Sequence, residues 1–174
     1  MPICKLVTLS LLCFLFTACT GPLPNCSIDQ VLIEESSFPA GTYFEPLISP
    51  AYDRPQSSAT QGYSYAPDNG GYTVTKWPFS GYARSDYNGT QKVAFKIDKY
   101  RGPWETPADV FVSKIADNYF VACGLVRGVY ECRVAAQYSR YSFYFRSTIS
   151  SDRISLDDLN RLLEAIDKKM ASCS

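Results

Sequence analysis

Cysteine, carboxylate and tyrosine are the main residue types through which this chain could do chemistry, because its 174 residues include no histidine. Histidine is the commonest general base and metal ligand, so a Ser-His-Asp or Cys-His catalytic site is excluded. No pair of cysteines has the short spacing typical of a zinc site. We predict no cofactor and no metal-ligand set, although carboxylate chemistry, tyrosine or lysine bases and oxygen-ligated calcium stay open.

The seven cysteines have different predicted roles according to where they lie. Cys4 and Cys13 fall within a predicted signal peptide, and Cys19 directly follows it. The remaining cysteines are even in number, which in an oxidising compartment indicates disulfides. They are Cys26, Cys123, Cys132 and Cys173.

The N-terminal residues predict export. A lysine precedes an apolar run over residues 6–16, which is too short to span a bilayer and is typical of a secretory signal. Ala18 and Cys19 then resemble a bacterial lipobox, in which the cysteine is lipidated, for example with palmitate, and becomes the new N-terminus. We predict a signal peptide over residues 1–18, lipidation of Cys19 and a tether over residues 19–27. This implies a lipoprotein anchored on the outer face of a bacterial membrane, in the periplasm or at the cell surface.

The charge balance excludes one class of partner. Basic and acidic residues number 17 each and are interspersed along the chain. Nucleic-acid binding depends on neutralising phosphates, and polybasic attachment depends on attracting anionic lipid, so neither is predicted. The partners we predict are the membrane, through the lipid anchor, and a protein or a small ligand.

Residues 119–149 predict three consecutive antiparallel strands with alternating apolar positions. Arg127 and Gly128 would form the turn between the first two strands. A turn centred there places Cys123 opposite Cys132, within reach of a disulfide.

The C-terminal residues predict an amphipathic helix. Ser155 and Asp158 form a capping box, and capping accounts for the adjacent Asp157 and Asp158 without a catalytic carboxylate pair. Cys173 follows the helix, and a bridge from it to Cys26 would tie the two ends of the domain together. The apolar stripe of this helix consists of Leu156, Leu159, Leu162, Leu163, Ile166 and Met170.

A β-hairpin is predicted in the middle of the chain. Asn88-Gly89 is a strong turn signal between residues 82–87 and residues 91–100. The buried face of the second strand would carry Val93, Phe95 and Ile97.

Two further elements complete the predicted order. The apolar residues 31–33 predict a first strand. Residues 106–117 predict a helix, because Thr106 can cap it and Pro107 would occupy its first position.

These elements predict an α+β fold, an antiparallel sheet flanked by two amphipathic helices and stapled by disulfides, in one domain over residues 28–174. Their order over residues 28–171 resembles the PsbP-like α/β/α sandwich of photosystem extrinsic subunits and of various small bacterial lipoproteins. The resemblance implies a non-catalytic accessory or binding role and no particular reaction.

The long stretch over residues 49–72 is rich in proline, glycine, serine and tyrosine and is predicted to be an irregular loop. Loops on a rigid scaffold often carry binding, and tyrosine and tryptophan supply contact area at low entropic cost. The predicted contact residues are Tyr52, Tyr63, Tyr65, Tyr72 and Trp77.

Two alternatives to a bacterial binding module stay open. One is an enzyme acting on envelope polysaccharide through two carboxylates, although no pair can be chosen from sequence. The other is a small secreted eukaryotic protein, glycosylated in the sequon that begins at Asn88. Arg133, Arg140 and Arg146 could form a cationic face on the predicted sheet or a solvated surface.

Overall fold

The computed structural model describes residues 26–49, 57–65, 68–151 and 154–173. The predicted signal peptide, Cys19 and Tyr52 lie outside these ranges, and so does the side chain of Tyr65. Among the described helices, none is long and apolar enough to cross a membrane.

One seven-stranded antiparallel sheet forms the centre of the molecule, with strand order β1-β2-β3-β7-β6-β5-β4. The strands are β1 (Tyr43–Phe44), β2 (Ser57–Tyr65), β3 (Asp68–Lys76), β4 (Arg101–Glu105), β5 (Asn118–Val126), β6 (Val129–Tyr138) and β7 (Tyr141–Thr148). The α-helices of the described chain are α1 (Ser80–Ala94) and α2 (Leu156–Ser172), and two short 3-10 helices span Asp29–Val31 and Glu35–Ser37. The predicted α+β class with an antiparallel sheet and disulfides is confirmed.

The three strands β5, β6 and β7 form the predicted meander. Arg127 and Gly128 both have positive φ, at 52° and 84°, as the two-residue turn of a tight hairpin requires. Cys123 therefore lies opposite Cys132, and the predicted disulfide between them is confirmed.

Helix α2 also forms as predicted. The Ser155 hydroxyl accepts a hydrogen bond from the Asp158 backbone N–H, and the Asp158 side chain accepts one in return from the Ser155 N–H. The helix ends at the second predicted disulfide, Cys26–Cys173, which joins the two ends of the described chain. Its buried side chains are Leu159, Leu162, Leu163, Ile166 and Met170.

Helix α2 and the segment before β1 bury one side of the sheet, which we call the closed face. Because side chains alternate along a strand, Tyr72 and Val74 of β3 and Phe143 and Phe145 of β7 share this face. All four belong to the same buried cluster as the apolar side of α2.

The predicted first strand at residues 31–33 is wrong, because Asp29–Val31 is a 3-10 helix. Val31 and Ile33 are nevertheless buried, and the Ile33 backbone bonds to the Tyr72 hydroxyl instead of to a neighbouring strand. Apolar residues at this spacing report burial but do not distinguish a strand from a short helix.

The predicted irregular loop over residues 49–72 is also wrong in its described part, where β2 and β3 pair along their whole length. Gly62 lies opposite Gly71, and the side-chain hydroxyls of Ser58 and Thr75 bond to each other across the pair at 3.1 Å. The glycine content of this stretch indicates a loop, but the stretch forms a hairpin that cross-strand hydroxyl pairs stabilise.

The predicted hairpin around Asn88-Gly89 is wrong, because both residues lie inside α1. Helical spacing places Ala83, Tyr87 and Ala94 on the buried side of this helix. The expected buried strand face is absent, since Val93 is 68% and Ile97 67% exposed.

The predicted helix over residues 106–117 is wrong as well, and this segment is irregular. The Asn160 side chain on α2 accepts a hydrogen bond from the Phe111 N–H and donates one to the Asp109 carbonyl. Ser113 Oγ donates to Asp167 of the same helix. Polar contacts with α2 thus satisfy backbone groups that a helix would have satisfied internally.

Candidate functional site

The side of the sheet opposite the closed face is only partly covered, and we call it the open face. Helix α1 contacts β5, β6 and β7 on this side. A cleft of about 710 Å³ runs along the flank of α1. Its lining includes Trp77, Tyr82, Asp86, Gly89, Val93 and Tyr144.

The cleft has a hydroxyl-rich extension toward β3. A smaller cavity of about 220 Å³ shares Asp86, Thr90 and Tyr144 with the cleft and continues over Thr73 and Thr75. These threonines project from the part of the open face beyond α1, which is where a ligand could lie flat against the sheet.

A chain of hydrogen bonds joins three elements at one end of the cleft. Trp77 follows β3, and its indole Nε1 donates to the hydroxyl of Ser142 on β7 at 2.9 Å. The Ser142 hydroxyl donates in turn to Asp86 Oδ2 on α1 at 2.5 Å. The carboxylate and the indole are thereby fixed within two hydrogen bonds of each other, before any ligand arrives.

Aromatic rings form the wall beside this carboxylate. Trp77 and Tyr82 stack with ring centroids 6.3 Å apart and an interplanar angle of 25°. Phe79 lies 6.1 Å from Tyr82, and these two rings are 68% and 56% exposed. Large exposed aromatic rings on a folded domain are typical of a contact surface.

Two arginines line the other end of the cleft, and both already have carboxylate partners. Arg133 pairs with Glu131 at 2.5 Å, and Arg101 pairs with Asp98 at 2.7 Å. Arg133 is also buried, donates to the Ala94 carbonyl at the C-terminal end of α1 and lies 4.8 Å from the Trp104 ring centroid. Its contacts identify it as a residue that fixes α1 on the sheet, not as an exposed cation.

Tyr144 stands between the two ends of the cleft. Burial raises the pKa of its phenol, so the group is a neutral donor at physiological pH. Within the described part of the chain its hydroxyl makes no hydrogen bond. It therefore keeps its hydrogen-bonding capacity for a bound molecule.

Two of the predicted contact residues belong to the core and not to a binding surface. Tyr63 and Tyr72 are 1% and 2% exposed on the closed face, so their prediction as ligand contacts is wrong. Burial raises the pKa of Tyr72 to about 12, and the pKa of Tyr63 is raised for the same reason. Trp77 is the predicted contact residue that the structure brings to the cleft, beside Asp86.

The sequence prediction missed Asp86, Ser142 and Tyr144 as site residues. The sequence predicts a strand at Asp86, and Ser142 and Tyr144 lie on the polar side of a strand whose apolar side carries the periodic signal. One signal could have revealed α1: residues 80–92 contain a single β-branched residue, Thr90, which disfavours a pair of strands.

The described residues include no group of three or more cysteine, aspartate or glutamate side chains that could hold a metal ion. Asp86 is the one carboxylate that lines the cleft in this part of the chain. What the arrangement offers is therefore a carboxylate, aromatic faces and hydroxyls, which are groups for binding.

No family model, no curated protein and no solved structure matches this chain.

Proposed function

We propose that the protein is an exported, membrane-anchored binding module without catalytic activity, and that its ligand site is the cleft along α1. The observation that supports this proposal best is the pair of hydrogen bonds that joins Trp77, Ser142 and Asp86 at the wall of an open cleft of about 710 Å³. Concave sites with mostly apolar walls and a few placed polar groups are the usual form of small-ligand sites.

Two disulfides support the exported location, because such bonds persist in oxidising compartments. The anchor is the predicted lipid on Cys19. Residues 20–25 separate it from Cys26, and a chain of that length reaches at most about 25 Å. The Cys26 carbonyl accepts hydrogen bonds from Lys76 Nζ and the Tyr141 hydroxyl, both at 2.7 Å. Lys76 immediately precedes Trp77, so an anchor at Cys19 would hold the aromatic end of the cleft near the membrane.

Binding is favoured over hydrolysis of polysaccharide by the number of carboxylates. Glycoside hydrolysis commonly uses two carboxyl groups roughly 5–9.5 Å apart, and one of them has a raised pKa. Among the described residues, Asp86 alone offers a carboxylate to the cleft. Outside the cleft, the Arg101 hydrogen bond lowers the pKa of Asp98. At Asp158, burial is outweighed by Ser155 and Arg161 together, and the pKa is lowered, so neither carboxyl group has the raised pKa of a general acid.

The anchor is tested by the intact mass of the protein from the membrane fraction. We expect a diacyl or triacyl modification on Cys19 as the first residue. A soluble product with an unmodified N-terminus would contradict the lipoprotein assignment and leave the cleft to be tested separately.

The cleft is tested with a steric plug at Gly89, a lining residue on α1. A Cβ at Gly89 meets no atom within 4 Å, and the same is true of Gly81, which lies on α1 outside the cleft. Gly89→Leu should therefore fold and obstruct the cleft beside α1, and Gly81→Leu is the matched control.

The measurement is the thermal shift of the full chain with choline, glycine betaine, glucose, N-acetylglucosamine and citrate as probes. We expect at least one probe to raise the melting temperature of the wild type and of Gly81→Leu but not of Gly89→Leu. Equal shifts in both variants would place the ligand elsewhere and overturn the proposal.

A further inference from the structure

We propose that the ligand of the cleft is a small organic cation of the alkylated-ammonium class, held by the Asp86 carboxylate beside the rings of Trp77 and Tyr82. This inference rests on the proposed function of the cleft as the ligand site. It follows from three properties of the lining: its unbalanced charge, its aromatic rings and its apolar surface along α1.

The first property is charge. The ionic groups that line the cleft are Asp86, Arg101 and Arg133. Both arginines have carboxylate partners, Asp98 and Glu131, whereas the described residues provide no cation for Asp86. Asp86 accepts one hydrogen bond, from Ser142, and a carboxylate has room for more. The charge that would complete this site is therefore positive.

The second property is the position of the aromatic rings. Ser142 links the Trp77 indole and Asp86, so a ligand that touches the carboxylate lies next to the Trp77 and Tyr82 wall. A cation within about 6 Å of a ring centroid is attracted by the negative face of the ring, and tryptophan is the strongest partner. The Trp77 indole meets Ser142 through its N–H edge, and Tyr82 lies one helical turn before Asp86 on α1, so the aromatic wall begins beside the carboxylate.

The third property distinguishes an alkylated ammonium from a bare ammonium or a sugar. Gly89, Val93 and Ala94 give the cleft apolar surface along α1. Methyl groups gain from such surface, while an ammonium with three N–H donors needs three acceptors. The described residues of the lining include no asparagine or glutamine to recognise the paired hydroxyls of a sugar.

The test compares choline with 3,3-dimethylbutan-1-ol, the neutral isostere in which carbon replaces the nitrogen, by titration calorimetry on the full chain. Choline should bind at least tenfold more tightly than the isostere. Asp86→Asn should lower the affinity for choline at least tenfold and leave the affinity for the isostere unchanged. The control is Asp157→Asn, which removes the same charge from an exposed position in the first turn of α2.

Each other outcome has a defined meaning. Equal affinity for choline and the isostere, or an unchanged choline affinity in Asp86→Asn, overturns the cation proposal. If a neutral sugar binds and Gly89→Leu blocks it, the cleft remains the ligand site and the cation class alone is wrong. If no probe binds, the cleft proposal and the cation proposal fall together.

Discussion

The two faces of the sheet divide stability and recognition between them. The closed face carries Phe143, Phe145, Val74 and Val134 under the leucine-rich side of α2, and it is sealed. The open face carries hydroxyls and charges under α1, and its β2 and β3 side bears rows of serine and threonine. In a sheet with one apolar and one polar face, the apolar face can stabilise the fold by packing in the core while the polar face stays available to contact a ligand.

The helices show how the sequence produces this difference. Helix α2 buries four large aliphatic side chains, and methionine besides, so it covers the closed face by hydrophobic packing. Helix α1 buries Ala83, Tyr87 and Ala94, which offer less apolar area. Arg133 compensates at its C-terminal end by donating to the Ala94 carbonyl. Because α1 is held partly by polar contacts, its flank can stay open as a cleft.

The largest expected effect is a loss of stability on the closed face. Leu162 is fully buried, and Leu162→Ala removes apolar contacts and leaves a cavity, so we expect a cost of about 2–5 kcal/mol. Urea denaturation measures it. The matched truncation on the open face is Val93→Ala, at a residue that is 68% exposed, with an expected change within about 0.5 kcal/mol. Equal costs would contradict the division between the faces.

The second prediction concerns the Tyr72 hydroxyl, which accepts from the Ile33 N–H at 3.1 Å and donates to the Ile33 carbonyl at 3.3 Å. It thereby holds the N-terminal segment against the closed face. Tyr72→Phe leaves these buried backbone groups without their partner, so we expect a cost of about 1–3 kcal/mol.

The pH dependence of stability sharpens this prediction. Burial raises the pKa of Tyr72 to about 12, above its ordinary value of about 10. Because the pKa of Tyr72 is higher in the folded state than in the unfolded state, Tyr72 contributes fully to stability at pH values below its unfolded-state pKa. This contribution is lost as pH rises from 10 to 12, because the unfolded chain releases the proton first. Denaturant midpoints between pH 8 and 11 should therefore fall less steeply in Tyr72→Phe. Tyr82→Phe, which removes an exposed hydroxyl from the open face, is the control and should follow the wild type.

The β5–β7 meander and helix α2 of the closed face could be predicted from sequence because their signals are local, whereas the share of β2 and β3 in this face could not. The turn at Arg127 and Gly128 fixes the register that brings Cys123 to Cys132, and α2 carries both a capping box and an apolar stripe. Such signals need no knowledge of distant partners. The predicted anchor at Cys19 and the resemblance to the PsbP-like sandwich stay predictions.

The open face could not be predicted because its residues meet only in three dimensions. Asp86, Ser142 and Trp77 lie on three elements that are far apart in sequence. Asn88-Gly89 is a strong hairpin signal, yet packing of α1 on the sheet overrides it. The sequence predicts a loop where β2 and β3 form, so it gives no sign that their serine and threonine side chains share one face of a sheet.

The smallest predicted effect is a gain in stability from the glycines of α1. A glycine inside a helix costs about 0.5–1 kcal/mol relative to alanine. A Cβ at Gly81 or Gly89 meets no atom within 4 Å, so Gly81→Ala and Gly89→Ala should each stabilise the protein by about that amount. For a domain of this size the gain is a rise in melting temperature of roughly 2–4 °C per kcal/mol.

Gly81 lies in the first turn of α1 and Gly89 in its interior, and the two glycines also differ in what they face, which makes the pair a probe of the open face. Gly81 lies outside the cleft and Gly89 lines it. A methyl group at Gly89 is too small to fill the cleft, so Gly89→Ala should gain stability like Gly81→Ala and keep its affinity for choline. If Gly89→Ala instead loses stability while Gly81→Ala gains it, the wall of the cleft is packed more closely than an open site allows. The residues of the open face around Gly89 would then serve to stabilise the fold and not to bind a ligand.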